Sequence, residues 1–273
     1  MHFPELTVIE PSCTDGVLEL RLNRPDKSNA LDDALWQELR TAFDWADATP
    51  AVRVVVLSGA GKHFCAGIDL AMLGGIMARI ANPDEARSRE ALRRLILDLQ
   101  DCLSAIERCR KPVLAAIQGA CLGGGLDLAC CCDMRYASTD AVFSVREIDI
   151  GMVADVGSLQ RLPGLIAPGL ARELAYTGRD LGADEALRSG LVNQLWPDAE
   201  ALRDGVLAIA RRIAGKSPLA IRGSKEILNY SRDHSVADGL NHVATWNAAM
   251  LLSADLREAM QAGRERRPPS FAD

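Results

Sequence analysis

The stretch AAIQGACLGGGLDLACCCDMRYAS, residues 115–138, decides the fold. It continues KPVLAAIQG (111–119), a short apolar run between proline and glycine that reads as a buried strand. GGGLDLACCCD (123–133) follows as a helix opened by glycine, and MRYAS (134–138) and AVFSV (141–145) as short strands. A glycine triplet lets backbone approach a ligand closely, and Asp127 stands two residues beyond it. Further on, FSVREIDIGMVADVG (143–157) carries Glu147 and Asp155. Three carboxylates around one glycine-rich turn point to proton transfer.

Working outward, GVLELRLNRP (16–25) alternates as a strand, and LDDALWQELRTAFDWADA (31–48) repeats apolar residues at helical spacing before Pro50. RVVVLSG (53–59) is a second strand, and GAGKHFCAGIDL (59–70) a loop running into a helix. A polar stretch around Asn82-Pro83, expected to be a mobile loop, leads to a long amphipathic helix over residues 86–109. Strands and helices alternate as in βαβ units, so parallel pairing is expected. From Trp196 strand signals vanish, and Asp198 to Gly263 reads as successive helices with breaks at Ser217-Pro218 and at 231–235. The expected organisation is an α/β core over 1–196 and a helical region over 197–273. In that region Val243, Trp246, Met250 and Leu251 could cover a site, bury a subunit contact or simply form core. The tail RERRPPSFAD (264–273) is expected to fray.

The 273 residues are 48% hydrophobic, enough for a substantial core, and the net charge of -6 argues against a nucleic-acid or anionic-membrane partner. No segment has the length and apolarity of a membrane span, and MHFPELTVIEPSC lacks a basic, then apolar, leader, so the default expectation is cytoplasmic. The cysteines include the consecutive Cys130, Cys131 and Cys132 in an apolar stretch, and read as reduced, small core residues. A metal site is not expected, because His2, His63, His234 and His242 all lie far in sequence from that cluster.

Two segments carry chemistry, CAGID (65–69) and GACLGGGLD (119–127). Each puts glycine at a turn into a helix, where unpaired N–H groups point outward and the helix dipole favours negative charge. Two such N–H groups meeting would form an oxyanion hole; the plainer alternative is that the glycines only permit tight turns.

NRPDKSNAL (23–31), HFCAGIDL (63–70) and the 115–138 stretch, in that order, resemble the enoyl-CoA hydratase/isomerase family, the crotonases. The resemblance runs from Leu22 to Leu195. It implies an α/β spiral of ββα units with a helical C-terminal trimerisation region, assembled as a homotrimer or a hexamer of paired trimers. It also implies an acyl-CoA thioester as substrate, with no cofactor beyond the CoA that the substrate itself carries. By position, the N–H groups of Ile68 and Gly124 would bind the thioester oxygen, and Ala66, Gly67, Ile68, Asp69, Leu70, Ala71 and Gly125 would line the substrate. Lys27 and Arg24 could meet the CoA phosphates or remain solvated, and Met72, Leu73 and the 86–109 helix would line the acyl pocket.

Family hydratases place Glu after the triplet, a second Glu later, and a small residue eight positions on. Here those positions are Asp127, Glu147 and Asp155. The pattern GGGLD, VREIDIG, ADVGSLQRLP is similar to the branch that isomerises 3,5-dienoyl thioesters to 2,4-dienoyl thioesters, of use in fatty-acid β-oxidation. That reaction removes a proton at C2 and returns one at C6, a span that suits two carboxylates. The resemblance implies Asp155 as base at C2, Glu147 as acid at C6 and Asp127 as a supporting polar group near the acyl chain. Enoyl-CoA hydration or 3-to-2 isomerisation through Glu147 is the enzymatic alternative, and a crotonase-like RNA-binding or scaffold protein the non-enzymatic one. Each acid also has a structural reading: Asp127 offsets a helix dipole, Glu147 pairs with Arg146 or Arg161, and Asp155 caps a helix starting at Val156. Asp149, Asp69 and Asp133 read as structural, the last two as turn or cap residues.

Overall fold

A computed structural model describes residues 2–273. The chain opens with β1 (Ile9–Thr14) and β2 (Val17–Leu22), then α1 (Asp33–Ala48), β3 (Val54–Gly59), α2 (Leu70–Ile80) and α3 (Glu85–Arg108). β4 (Val113–Ile117), β5 (Ala120–Leu122), α4 (Gly124–Cys131), β6 (Met134–Ser138) and β7 (Val142–Ser144) form the middle. α5 (Ser158–Leu165), α6 (Pro168–Thr177), β8 (Leu181–Gly182), α7 (Ala183–Ser189) and β9 (Gln194–Trp196) follow. The chain closes with α8 (Ala199–Ala214), α9 (Pro218–Arg232), α10 (Val236–Met250) and α11 (Ala254–Glu265).

Six strands form one sheet in the order β1-β2-β3-β4-β6-β9, and β5-β7-β8 form a second. From β2 to β9 the first sheet is parallel, and β1 joins it antiparallel through the Asp15-Gly16 turn. β4, β5 and α4, then β6 and β7, repeat one pattern: a strand in each sheet, with a helix returning the chain. β3 and β4, in the middle of the sheet, are covered on both faces, so their sequence is continuously apolar rather than alternating. One face of VVVL puts Val55 and Leu57 into the main core with Phe43 of α1 and Leu103 of α3. The other puts Val54 and Val56 against Leu202, Val206 and Ala210 of α8. α1, α3 and α8 each start on an aspartate whose side chain accepts a first-turn N–H: Asp32 from Leu35, Asp84 from Ala86 and Asp198 from Ala201.

Three expectations are corrected. The Asn82-Pro83 stretch is a tight, bonded link, because Asn82 N–H donates to Ser88 Oγ at 3.0 Å and Asp84 N–H to Asn82 Oδ1 at 3.0 Å. The tail does not fray: Asp273 pairs with Arg222 at 2.7 Å, Arg53 donates to the Phe271 carbonyl, and Glu258 holds Arg267 and the Ser270 N–H. Its basic and proline residues hid partners that lie far away in sequence. Asp155 caps no helix: α5 starts at Ser158 after Gly157, whose φ is 139°, and the Ser158 N–H donates instead to Asp127.

Candidate active site

The CAGID loop and the glycine triplet meet because Cys65 adds itself to the edge of β5. Cys65 N–H donates to the Ala120 carbonyl and Leu122 N–H to the Cys65 carbonyl, both at 3.0 Å. Gln118 reinforces the join by donating to the Gly59 carbonyl at 2.7 Å, and His63 Nδ1 accepts the Ala120 N–H. The approach is close enough to require glycine at two points. A Cβ on Gly125 would lie 2.3 Å from the Cys65 carbonyl oxygen. Gly67 has φ +98°, and a Cβ there would lie 2.8 Å from the Leu122 carbonyl oxygen. A Cβ on Gly124 would lie 3.6 Å from the Ile68 nitrogen, so the two expected donors face one small space. Gly124 is the first residue of α4, and among the described residues neither its N–H nor that of Ile68 donates to a backbone carbonyl. Two such N–H groups are open to an acceptor from outside the chain.

All three carboxyls gather beside this pair. Glu147 follows β7 and reaches back to the triplet: its Oε1 would be 3.1 Å from a Cβ on Gly123, the residue before the Gly124 donor. Asp127 is fully buried on α4, and Asp155 is half-buried in the segment before α5. Burial raises all three carboxyls above their ordinary range. Asp127 is raised further by the charge of Glu147, while a hydrogen bond from Asp127 pulls Glu147 the other way. This pattern belongs to two acids holding one proton. Neither Asp127 Oδ2 nor Glu147 Oε2 receives a hydrogen bond from an amide, hydroxyl or cation. The cations offered to Glu147 by sequence are engaged elsewhere, Arg146 with Asp149 and Asp180, Arg161 with Glu107.

Among the substrate-lining residues, Asp69 caps α2 by accepting the Ala71 N–H, so the Ala66–Ala71 run is held as a turn into a helix. Leu70 is 70% exposed beside it. Arg24 is not free for phosphate: its guanidinium reaches Asp32 and Asp69, each at 3.1 Å, and the Ala30 carbonyl. Lys27 stays exposed. Asp133 is a strap between elements rather than a cap, accepting the Val113 N–H and Lys225 Nζ at 2.7 Å each. Seven of the eight cysteines are buried, and burial pushes the thiols of Cys65, Cys130 and Cys132 up to about 12, so they are packing groups rather than nucleophiles.

Beside Asp155 stand polar residues that the sequence reading did not single out, two of them on the helix it expected to line the acyl pocket. Gln100 donates to the Asp155 carbonyl at 2.6 Å, and Gln100, Ser104 and Gln160 line a cavity of about 390 Å³ with it. Gln100, Ser104 and Glu107 recur at spacings of four and three, one stripe of α3; a polar stripe facing inward was the available signal.

A family model described as enoyl-CoA hydratase/isomerase matches residues 12–273. The chain is 48% identical over 271 residues to the peroxisomal Delta(3,5)-Delta(2,4)-dienoyl-CoA isomerase of Arabidopsis thaliana, covering 99% of this chain and 98% of that one. It is also 48% identical over 257 residues to the mitochondrial protein of that name from Homo sapiens, covering 94% of this chain and 78% of that one. The crystal structure of an enoyl-CoA hydratase from Bacillus anthracis superposes with a TM-score of 0.89 at 33% identity, over 97% of this chain and 99% of that one. The α/β architecture with its C-terminal helices is thus the crotonase fold. The cytoplasmic expectation is corrected: relatives named peroxisomal and mitochondrial point to an organelle. It rested on the lack of an apolar leader, which organelle import does not require.

Proposed function

The chain belongs to the enoyl-CoA hydratase/isomerase family, and from that premise we propose that it is an enzyme converting 3,5-dienoyl-CoA to 2,4-dienoyl-CoA. The observation that carries the reading is the third carboxylate: Asp155 stands beside Asp127 and Glu147, close enough that its ionised form raises both. Hydration transfers protons at neighbouring positions; moving a proton from C2 to C6 spans the whole dienyl unit and suits a further, separated carboxylate.

The thioester oxygen is taken by the N–H groups of Ile68 and Gly124, which stabilise the charge that the dienolate places on it. The contact of Glu147 with Gly123 supports exchanging the roles expected from sequence. Glu147 lies against Gly123, next to the oxyanion donor, and C2 is one bond from the thioester carbon. Glu147 therefore removes the C2 proton, and Asp155, toward the distal cavity, delivers one to C6. Asp127, the more deeply buried of its pair, carries their shared proton and donates it to Glu147, which keeps Glu147 ionised as a base. Asp155 serves as the acid, and burial raises its carboxyl in the direction that favours the protonated form.

The substrate is an acyl-CoA, and the Ala66–Ala71 turn follows its pantetheine. Of the 197–273 region, α8 belongs to the core, while α9–α11 expose Leu228, Val236, Leu240 and Leu252, supporting a trimer in which they meet a second copy and cover the site. Isomerisation in D2O tests the proton path. Two carboxylates place one deuterium at C6 of the 2,4-dienoyl product. A product formed without deuterium there means one group carried the same proton across, and the division between Glu147 and Asp155 fails.

A further inference from the structure

We propose that the distal end of the acyl site is built for a short or hydroxylated acyl tail rather than a long alkyl one. The inference rests on the dienoyl-CoA reading, in which Asp155 meets C6, because the substrate beyond C6 must then pass into the cavity that Asp155 lines. Only one aliphatic side chain, that of Val156, lines that cavity, and it is itself 8% exposed. The rest of the side-chain lining is polar, with Gln100, Ser104 and Gln160 alongside the charged Glu107, Arg161, Arg232 and Asp233.

The charges there cancel. Glu107 binds Arg161 at 2.9 Å and also Arg232, whose second partner is Asp233 at 3.2 Å. With both cations committed, an anionic tail finds no free counter-charge. Neutral hydrogen-bonding capacity remains. The Gln160 amide donates and accepts nothing among the described residues, the Ser104 hydroxyl receives only a long 3.4 Å contact from Arg161, and Gln100 uses its N–H on Asp155 and leaves its oxygen open. A long alkyl tail would strip water from these groups and give them no partner, whereas a hydroxyl two or three carbons beyond C6 would replace that water. Selectivity follows from the unpaired amides, not from the length of the cavity.

The test compares kcat/KM for 3,5-octadienoyl-CoA, 3,5-dodecadienoyl-CoA and 8-hydroxy-3,5-octadienoyl-CoA. The hydroxylated substrate is expected to exceed the dodecadienoyl one by about tenfold or more. Gln160→Leu, at an exposed position with no bond to lose, is expected to shrink that ratio by raising the alkyl substrate and lowering the hydroxylated one. Rates that climb steadily with chain length, or a ratio unmoved in Gln160→Leu, overturn the proposal and leave the isomerase reading standing. Failure to turn over any of the three dienoyl thioesters overturns the isomerase reading itself.

Discussion

Asp127, on the helix that carries the Gly124 donor, accepts the N–H of Ser158, the first residue of α5. One carboxyl thus ties the oxyanion helix to the segment that holds Asp155. Its second oxygen, Oδ2, is left for Glu147, so in the proposed mechanism the residue both positions that segment and holds a proton.

These roles separate by substitution. Asp127→Asn keeps an oxygen for Ser158 and an N–H for Glu147, imitating the protonated acid, and kcat is expected to fall only about tenfold. Asp127→Ala leaves the Ser158 N–H without its buried acceptor, costs about 1–2 kcal/mol of stability, and lowers kcat roughly a hundredfold. Steady-state kinetics and thermal unfolding on both variants check this; equal losses would reduce Asp127 to a simple acid.

Asp155→Asn is expected to remove dienoyl isomerisation by about four orders of magnitude with the fold intact, since an amide of the same shape cannot give up a proton to C6. The wild-type pH profile of kcat is expected to be a bell. The acid limb marks Glu147, which must be ionised, and the alkaline limb marks Asp155, which must be protonated; both groups are raised, so the bell sits above the ordinary carboxylate range. A profile with no alkaline limb would contradict the acid role.

Buried acids also leave a mark on stability. A carboxyl raised in the folded state contributes stability that is full below its unfolded value and lost as pH rises through the folded one. Glu147→Gln removes that loss, so it is expected to be more stable than wild type near neutral pH and no more stable in mild acid, while activity drops. Denaturant unfolding at both pH values reads the difference.

Gly67→Ala is expected to lower kcat/KM by about a hundredfold or more, because its Cβ would push against the Leu122 carbonyl and swing the Ile68 N–H away from Gly124. Gly169→Ala on α6, with open space around it, serves as the control and is expected to leave kcat/KM unchanged.

The core helices and the parallel strands were legible in the sequence because their patterns are local: the apolar spacing of α1, the continuous VVVL of β3, and the proline and glycine bounding β4. The gathering of Asp127, Glu147 and Asp155 was legible only through resemblance to a family. What stayed hidden depended on partners far apart in sequence. β1 pairs antiparallel through an Asp15-Gly16 turn whose flanks do not alternate cleanly. Asp155 looked like a cap because it precedes VGSLQRL, yet the acceptor of that helix's first N–H comes from 31 positions upstream. Arg24 looked free for phosphate, yet Asp69, 45 positions away, holds it.

The most direct measurement is turnover of 3,5-octadienoyl-CoA and, separately, 2-octenoyl-CoA by the purified protein, followed by the ultraviolet absorbance of the conjugated product and the loss of the enoyl thioester. Rapid growth of the 2,4-dienoyl absorbance with little hydration is the result expected of Asp155 and Glu147 working as a pair. Fast hydration of 2-octenoyl-CoA with no dienoyl product would contradict it and return Glu147 to acting alone.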